Sequence, residues 1–148
     1  MIQAEYRAQL RRILDTVSDE VTAKFIRFHE AATAVSNSLV VDIFLDQDGD
    51  GPFNIWARFD GPDAFTLDRR FDDERQLFGV VWGENGWTPP VPVRPDGWTR
   101  DELEEAVFDV VHEWLDPLIP NDTHSWELSS VEGVLDTRPL GMGRESLP

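Results

Sequence analysis

Asp46, Asp48 and Asp50 stand at alternate positions, with Gly51 directly after them. Carboxylates spaced this way can converge on a hard cation, and the glycine permits the sharp turn that convergence needs. The chemistry offered is Ca2+ binding by Asp46, Asp48 and Asp50, with Asn54 at the ninth position of the loop. The twelfth position is Ala57, where a helix–loop–helix calcium site uses a bidentate glutamate. An EF-hand is therefore excluded, and other ligands would have to close the site. Asp and Gly are also good turn formers, so an acidic hairpin tip without metal explains the same residues.

A second set is electrostatic. Asp101, Glu105, Asp109 and Glu113 follow one another at steps of four, with Glu102, Glu104 and Asp116 nearby. On a helix these like charges oppose folding by ~0.2–0.5 kcal/mol per step, and the later ones meet the unfavourable end of the helix dipole. The stripe is either a solvated face or a surface kept negative for a positive partner. A third set is aromatic. If Phe53, Ile55, Ala57 and Phe59 face a core, Trp56 points the other way, beside Phe44 of the preceding strand. Aromatics next to acidic loop residues have the composition of a binding hot spot, unless another segment covers that face.

Catalytic constellations are poor. His29, His112 and His124 are far apart in the chain and lack metal-ligand spacing, and no serine sits in a nucleophile elbow. With no cysteine, disulfides, thiolate metal sites and cysteine nucleophiles are excluded together. No phosphate-cradling glycine loop is present, and Gly141-Met142-Gly143 falls in an expected tail. The run Pro89-x-x-Pro92-x-x-Pro95 suits either an aromatic groove on a partner or a plain surface connection. The expectation is no enzyme and no cofactor beyond Ca2+.

These residues need elements to hold them. Tyr6, Leu10, Ile13, Leu14, Val17, Val21, Phe25, Phe28 and Ala32 recur at steps of three and four, which predicts one long helix over 4–34. Leu39, Val41, Ile43 and Leu45 alternate with other residues, as do Phe53, Ile55, Ala57 and Phe59, so two strands should form a hairpin around the Asp46–Gly51 loop. Residues 64–67 and 77–82 read as further strands, and Gly83-Glu84-Asn85-Gly86 as a tight turn. Thr99-Arg100-Asp101-Glu102 fits a capping box opening a helix over 100–115, with Leu103, Ala106, Val107, Val110 and Trp114 buried. Asp116-Pro117 should stop it. Segments 126–128 and 131–135 read as last strands. The fold class that follows is α+β: a two-layer sandwich of an antiparallel sheet of four to six strands with two main helices. A single domain should occupy 1–140, with a loose tail at 141–148.

The chain is 148 residues long with 41% hydrophobic residues, enough for one domain with its own core. No signal-peptide pattern or membrane-length apolar run is present, so a cytoplasmic protein is expected. Lys24 is the only lysine among 13 basic residues, which suggests a GC-rich genome. The first 30 residues balance acids with bases, so the whole excess of 16 negative charges falls after residue 30. Such a field repels nucleic acid and anionic lipid and attracts basic surfaces.

The run Ala4-Glu5-Tyr6-Arg7-Ala8-Gln9-Leu10, the Asp46-Gln47-Asp48-Gly49 turn, the Phe59-Asp60-Gly61-Pro62 corner and Leu77-Phe78-Gly79-Val80 resemble an uncharacterised family of short acidic bacterial proteins. In broad character the chain is similar to immunity proteins of bacterial toxin systems, small acidic α+β inhibitors. That likeness implies a basic toxin or nuclease domain as partner, and the residue patterns above offer Phe44, Trp56, the Asp46–Asp50 loop and the Asp101–Glu113 stripe as its binding residues. A calcium-stabilised module and a DNA-mimic inhibitor, whose carboxylate rows imitate phosphates, are the other readings. The oligomeric state is left open.

Overall fold

The apolar stripe of the first 34 residues is wound into two helices, α1 (Gln3–Asp15) and α2 (Ser18–Ala34), rather than the single one expected. The computed structural model describes residues 3–120, 126–131, 133 and 135–141. The break falls at Thr16-Val17. There Thr16 turns its Oγ1 back to the Ile13 carbonyl (2.6 Å), and the Val17 amide reaches Leu14 O (3.0 Å), closing α1 with a tight turn. Asp, Thr, Val and Ser are all middling or poor helix formers, so four in a row yield to this turn. Periodicity concealed the break because the stripe stays in phase: Tyr6, Leu10 and Leu14 are buried on α1, and Val21, Phe25 and Phe28 on α2.

Strands β1 (Ser38–Leu45) and β2 (Phe53–Asp60) form the expected antiparallel hairpin, in register from Ser38↔Asp60 to Leu45↔Phe53. Residues 64–67 form no strand but part of helix α3 (Ala64–Arg70). Leu67 is buried and Phe71 after it packs on Phe28 and Phe59, a spacing of four that so short a stretch does not reveal. Segment 77–82 is divided between β3 (Gln76–Phe78), on the edge of β2, and β4 (Val81–Gly83), which pairs with β5 (Gly86–Thr88) as a separate two-stranded sheet. The chain changes course at Gly79, where a Cβ would collide with the side chains of Gln76 and Asn54.

Helix α4 (Arg100–Leu115) opens on the expected capping box: Glu102 N–H donates to Thr99 Oγ1 (3.1 Å), and Thr99 N–H to Glu102 Oε1 (3.0 Å). It ends in a 3₁₀ turn at Asp116–Leu118. The chain then enters the sheet as β6 (Glu127–Ser130), and β7 (Arg138–Pro139) closes it, whereas the described part of 131–135 is not a strand. The main sheet runs β3-β2-β1-β6-β7. It is mixed, not antiparallel throughout, because β6 lies parallel to β1. A strand entered from a crossover helix such as α4 runs parallel to its neighbour, where a hairpin would have reversed it. Leu140 is buried and the Gly141 amide donates to Asp116; the rest of the expected tail, 142–148, lies outside the described residues. The architecture is α+β.

The helices cover one sheet face. Phe28 meets Phe59 edge-on at 5.7 Å, Phe25 meets Trp126, and Ser130 on β6 bonds Glu104 on α4. Helix α1 packs on α4, with Tyr6 fully buried against Trp98 at 5.2 Å. The Tyr6 hydroxyl has no hydrogen-bond partner among the described residues, and burial raises its pKa far above the usual 10.0. A raised folded-state pKa contributes stability below the unfolded value that is lost as pH climbs past it, at ~1.4 kcal/mol per pH unit. Tyr6 is the only tyrosine, so tyrosinate absorbance reads it alone. That band should appear only with cooperative alkaline unfolding. Tyr6→Phe should remove this pH-linked loss and add about 1 kcal/mol at neutral pH. Reversible titration of Tyr6 at its ordinary pKa in folded protein would contradict the burial.

Candidate protein-binding surface

The β1–β2 loop is held by backbone bonds. Asp46 N–H donates to Pro52 O (3.0 Å), Gly49 N–H to Asp46 O (2.9 Å), and Arg94 N–H to Asp50 O (2.8 Å). Gly51 has φ +148, and a Cβ there would press on Pro92 O, so the loop lies tightly on the proline-rich segment. Pro92 and Pro95 are themselves buried, which explains that run as a connection. One oxygen from each of Asp46, Asp48 and Asp50 lies within 4.8 Å of the others. Asp46 is half-buried and the other two are exposed. Asn54 lines the same cavity, while Ala57 is buried towards the core and closes nothing.

Two concavities meet at Phe44 and Asn54. On the open sheet face, a groove of about 320 Å³ is lined by Asp42, Phe44, Trp56, Arg58 and Arg75 among others. Phe44 is 40% exposed, and Trp56 is half-buried on the same face, diagonal to it across the hairpin. Neither is covered by a described helix, but Trp56 is not bare: the Arg75 guanidinium lies 5.8 Å from its ring centroid. Asp42, 6% exposed, accepts a 2.7 Å hydrogen bond from Arg58 Nε, so the groove floor is charge-matched.

At the hairpin tip a second cavity, about 360 Å³, joins the three carboxylates to Pro52, Val80, Trp82 and Trp87. Trp82 is 74% exposed and Val81 68%, and the Trp82 and Trp87 rings sit 5.7 Å apart. Sequence reasoning missed these residues as site members. The signal was present in Trp82-Gly-Glu-Asn-Gly-Trp87: a hairpin of two three-residue strands cannot bury both faces of its own.

The acidic helix does not present one stripe. Asp101, Glu105 and Glu113 are exposed, but Asp109 is half-buried between Arg7 (3.2 Å) and Arg138 (3.0 Å). Arg100, at the start of α4, lays its stem across Gly49, so Asp101 adjoins the acidic loop. Glu113 lies ~18 Å further along the axis. Since α4 covers the inner sheet face, its exposed acids point away from the face that carries Trp56. The structure therefore brings together Phe44, Asp46, Asp48 and Asp50, sets Trp56 beside them, and separates Glu105 and Glu113. His112 Nε2 lies 2.7 Å from Pro139 O and His29 packs edge-on to Trp126; His124 lies outside the described residues.

A model of a family of unknown function, DUF6389, matches residues 1–144. The chain belongs to this family. No curated protein and no solved structure shows significant similarity to it. No helix among the described residues of this DUF6389 member is long and apolar enough to cross a membrane.

The two kinds of acid on α4 should separate in a stability measurement. Asp109→Asn weakens two partly screened ion pairs and should lower the unfolding free energy by about 1 kcal/mol. Glu105→Gln with Glu113→Gln relieves like-charge repulsion and should leave it unchanged or raise it by ~0.5 kcal/mol. Urea unfolding of both variants checks the signs.

Proposed function

We propose that this chain is a non-enzymatic inhibitor of the immunity-protein type, which binds a basic toxin or nuclease domain and blocks it. The observation that carries the reading is where exposed apolar side chains meet acid. On a chain of net charge −16, the exposed Phe44 and Trp82 line the cavity that bears Asp46, Asp48 and Asp50. A negative field steers a positive partner before contact, and aromatics hold it once water leaves the interface. The same field disfavours direct binding of nucleic acid or anionic membrane. The reading assigns no catalytic residue. It also differs from DNA mimicry, since the pairing of Asp109 with two arginines interrupts the row of carboxylates.

Affinity capture from lysate of the source cells, eluted with salt, tests it. A basic protein should be recovered whose toxicity or nuclease activity disappears when the chain is added in equal amount. With that partner, Trp56→Ala and Phe44→Ala should speed dissociation, and Glu105→Gln with Glu113→Gln should slow association at low salt. Recovery of no basic partner at low salt would overturn the reading.

The convergence of three carboxylate oxygens within 4.8 Å favours a second reading, a calcium-stabilised module. Calcium at 100 times its dissociation constant should add ~2.7 kcal/mol to stability over chelator, and Asp48→Asn with Asp50→Asn should abolish the gain. An unchanged unfolding midpoint in millimolar calcium would leave these residues as turn and charge groups.

A further inference from the structure

The β4–β5 hairpin is an unfinished surface. Among the described residues it has no third strand, Trp82 is mostly in water, and Phe44 on β1 lines the same cavity. Trp82 is braced by Trp87, which is half-buried and packed against the core, so the exposed ring is held in place by its cross-strand partner. The cavity below the rings has Asp46, Asp48 and Asp50 on its other wall. An apolar occupant would cover Trp82 and leave three carboxylates desolvated. A bare metal ion would satisfy the carboxylates and leave the rings in water. A guanidinium answers both walls, because its planar face stacks on an indole while its five N–H donors fork towards carboxylates.

We propose that this hairpin is the docking element for the basic partner, and that the cavity receives an arginine of that partner, stacked on Trp82 and hydrogen-bonded to the Asp46–Asp50 loop. The inference rests on the inhibitor reading and adds which side chain is recognised and where. Lysine is a poorer fit, since its compact, strongly hydrated ammonium offers no plane to stack. An anionic lipid surface is opposed by the three carboxylates.

The test uses the full chain labelled with ¹⁵N, whose tryptophan indole signals are assigned through Trp82→Phe and Trp87→Phe. The probes are blocked tetra-arginine, tetra-lysine and tetra-citrulline peptides, and vesicles of phosphatidylcholine with phosphatidylglycerol. The arginine peptide should move the Trp82 and Trp87 indoles, lysine should bind about fivefold more weakly, and citrulline should do nothing. Trp82→Ala should weaken the arginine peptide about fivefold, and joint replacement of Asp46, Asp48 and Asp50 by Asn at least roughly tenfold. Unmoved Trp114 and Trp126 signals would show that these variants stay folded. Equal binding of citrulline, shifts centred on Trp56 instead, or a response to vesicles alone would each overturn the proposal. Arginine-peptide binding without any basic protein partner would overturn the inhibitor reading and leave this site standing. A captured partner indifferent to Trp82→Ala would overturn the site and leave the reading.

Discussion

β1 is bonded along both edges, antiparallel to β2 and parallel to β6, and every residue from Leu39 to Ile43 is buried. A strand so enclosed needs a partner on each side, and only a crossover can supply the second in parallel. That requirement sets the position of α4. The helix is fixed to β6 by a buried polar contact, in which the Ser130 hydroxyl donates to Glu104 Oε2 at 2.9 Å. Glu104 is 2% exposed, and Gly133 passes so close that a Cβ there would overlap its carboxylate. Removing one partner from a buried polar pair is far more damaging than never having built it. The contact therefore ties α4 to β6.

Covering one face leaves the other as the place where the molecule meets its surroundings. Its central row is charge-paired internally, Arg58 with Asp42 and Arg75, which lies by Trp56, with Asp72. Among the described residues, exposed acids without an ion pair include those of the β1–β2 loop and of the outer surface of α4. Long-range charge and short-range anchoring are thus partly separated in space. At physiological salt, fields fade over ~8 Å. In the proposed complex the loop acids would act on the bound partner directly, and Glu113 only on its approach.

Much of this was legible in the sequence. The capping box at Thr99, the alternation in 38–45 and 53–60, and the Asn85-Gly86 turn are local signals, and local physics decides them. The break at Thr16 was hidden because two helices can share one phase of apolar spacing. The parallel placement of β6 was hidden for another reason: strand direction depends on the path of α4, which no short window contains. In the candidate site, the acidic loop and Phe44 were identifiable from alternation alone. The pairing of Asp109 was not, since Arg7 is 102 residues away and no spacing rule links them. Trp82 was overlooked because 77–82 read as one strand of a larger sheet, where an aromatic would be covered.

That last difference matters for function. A tryptophan within a broad sheet has neighbours to shed water against, whereas one on a two-stranded ribbon keeps most of its surface wet. The turn Gly83-Glu84-Asn85-Gly86 enforces this ribbon by reversing the chain before a longer strand can form. Gly79 stands where the chain leaves β3, closely flanked by the Gln76 and Asn54 side chains. Trp82 is therefore displayed by a ribbon too short to cover it. An exposed indole beside three converging carboxylates gives the proposed arginine both a ring to stack on and acceptors to bond.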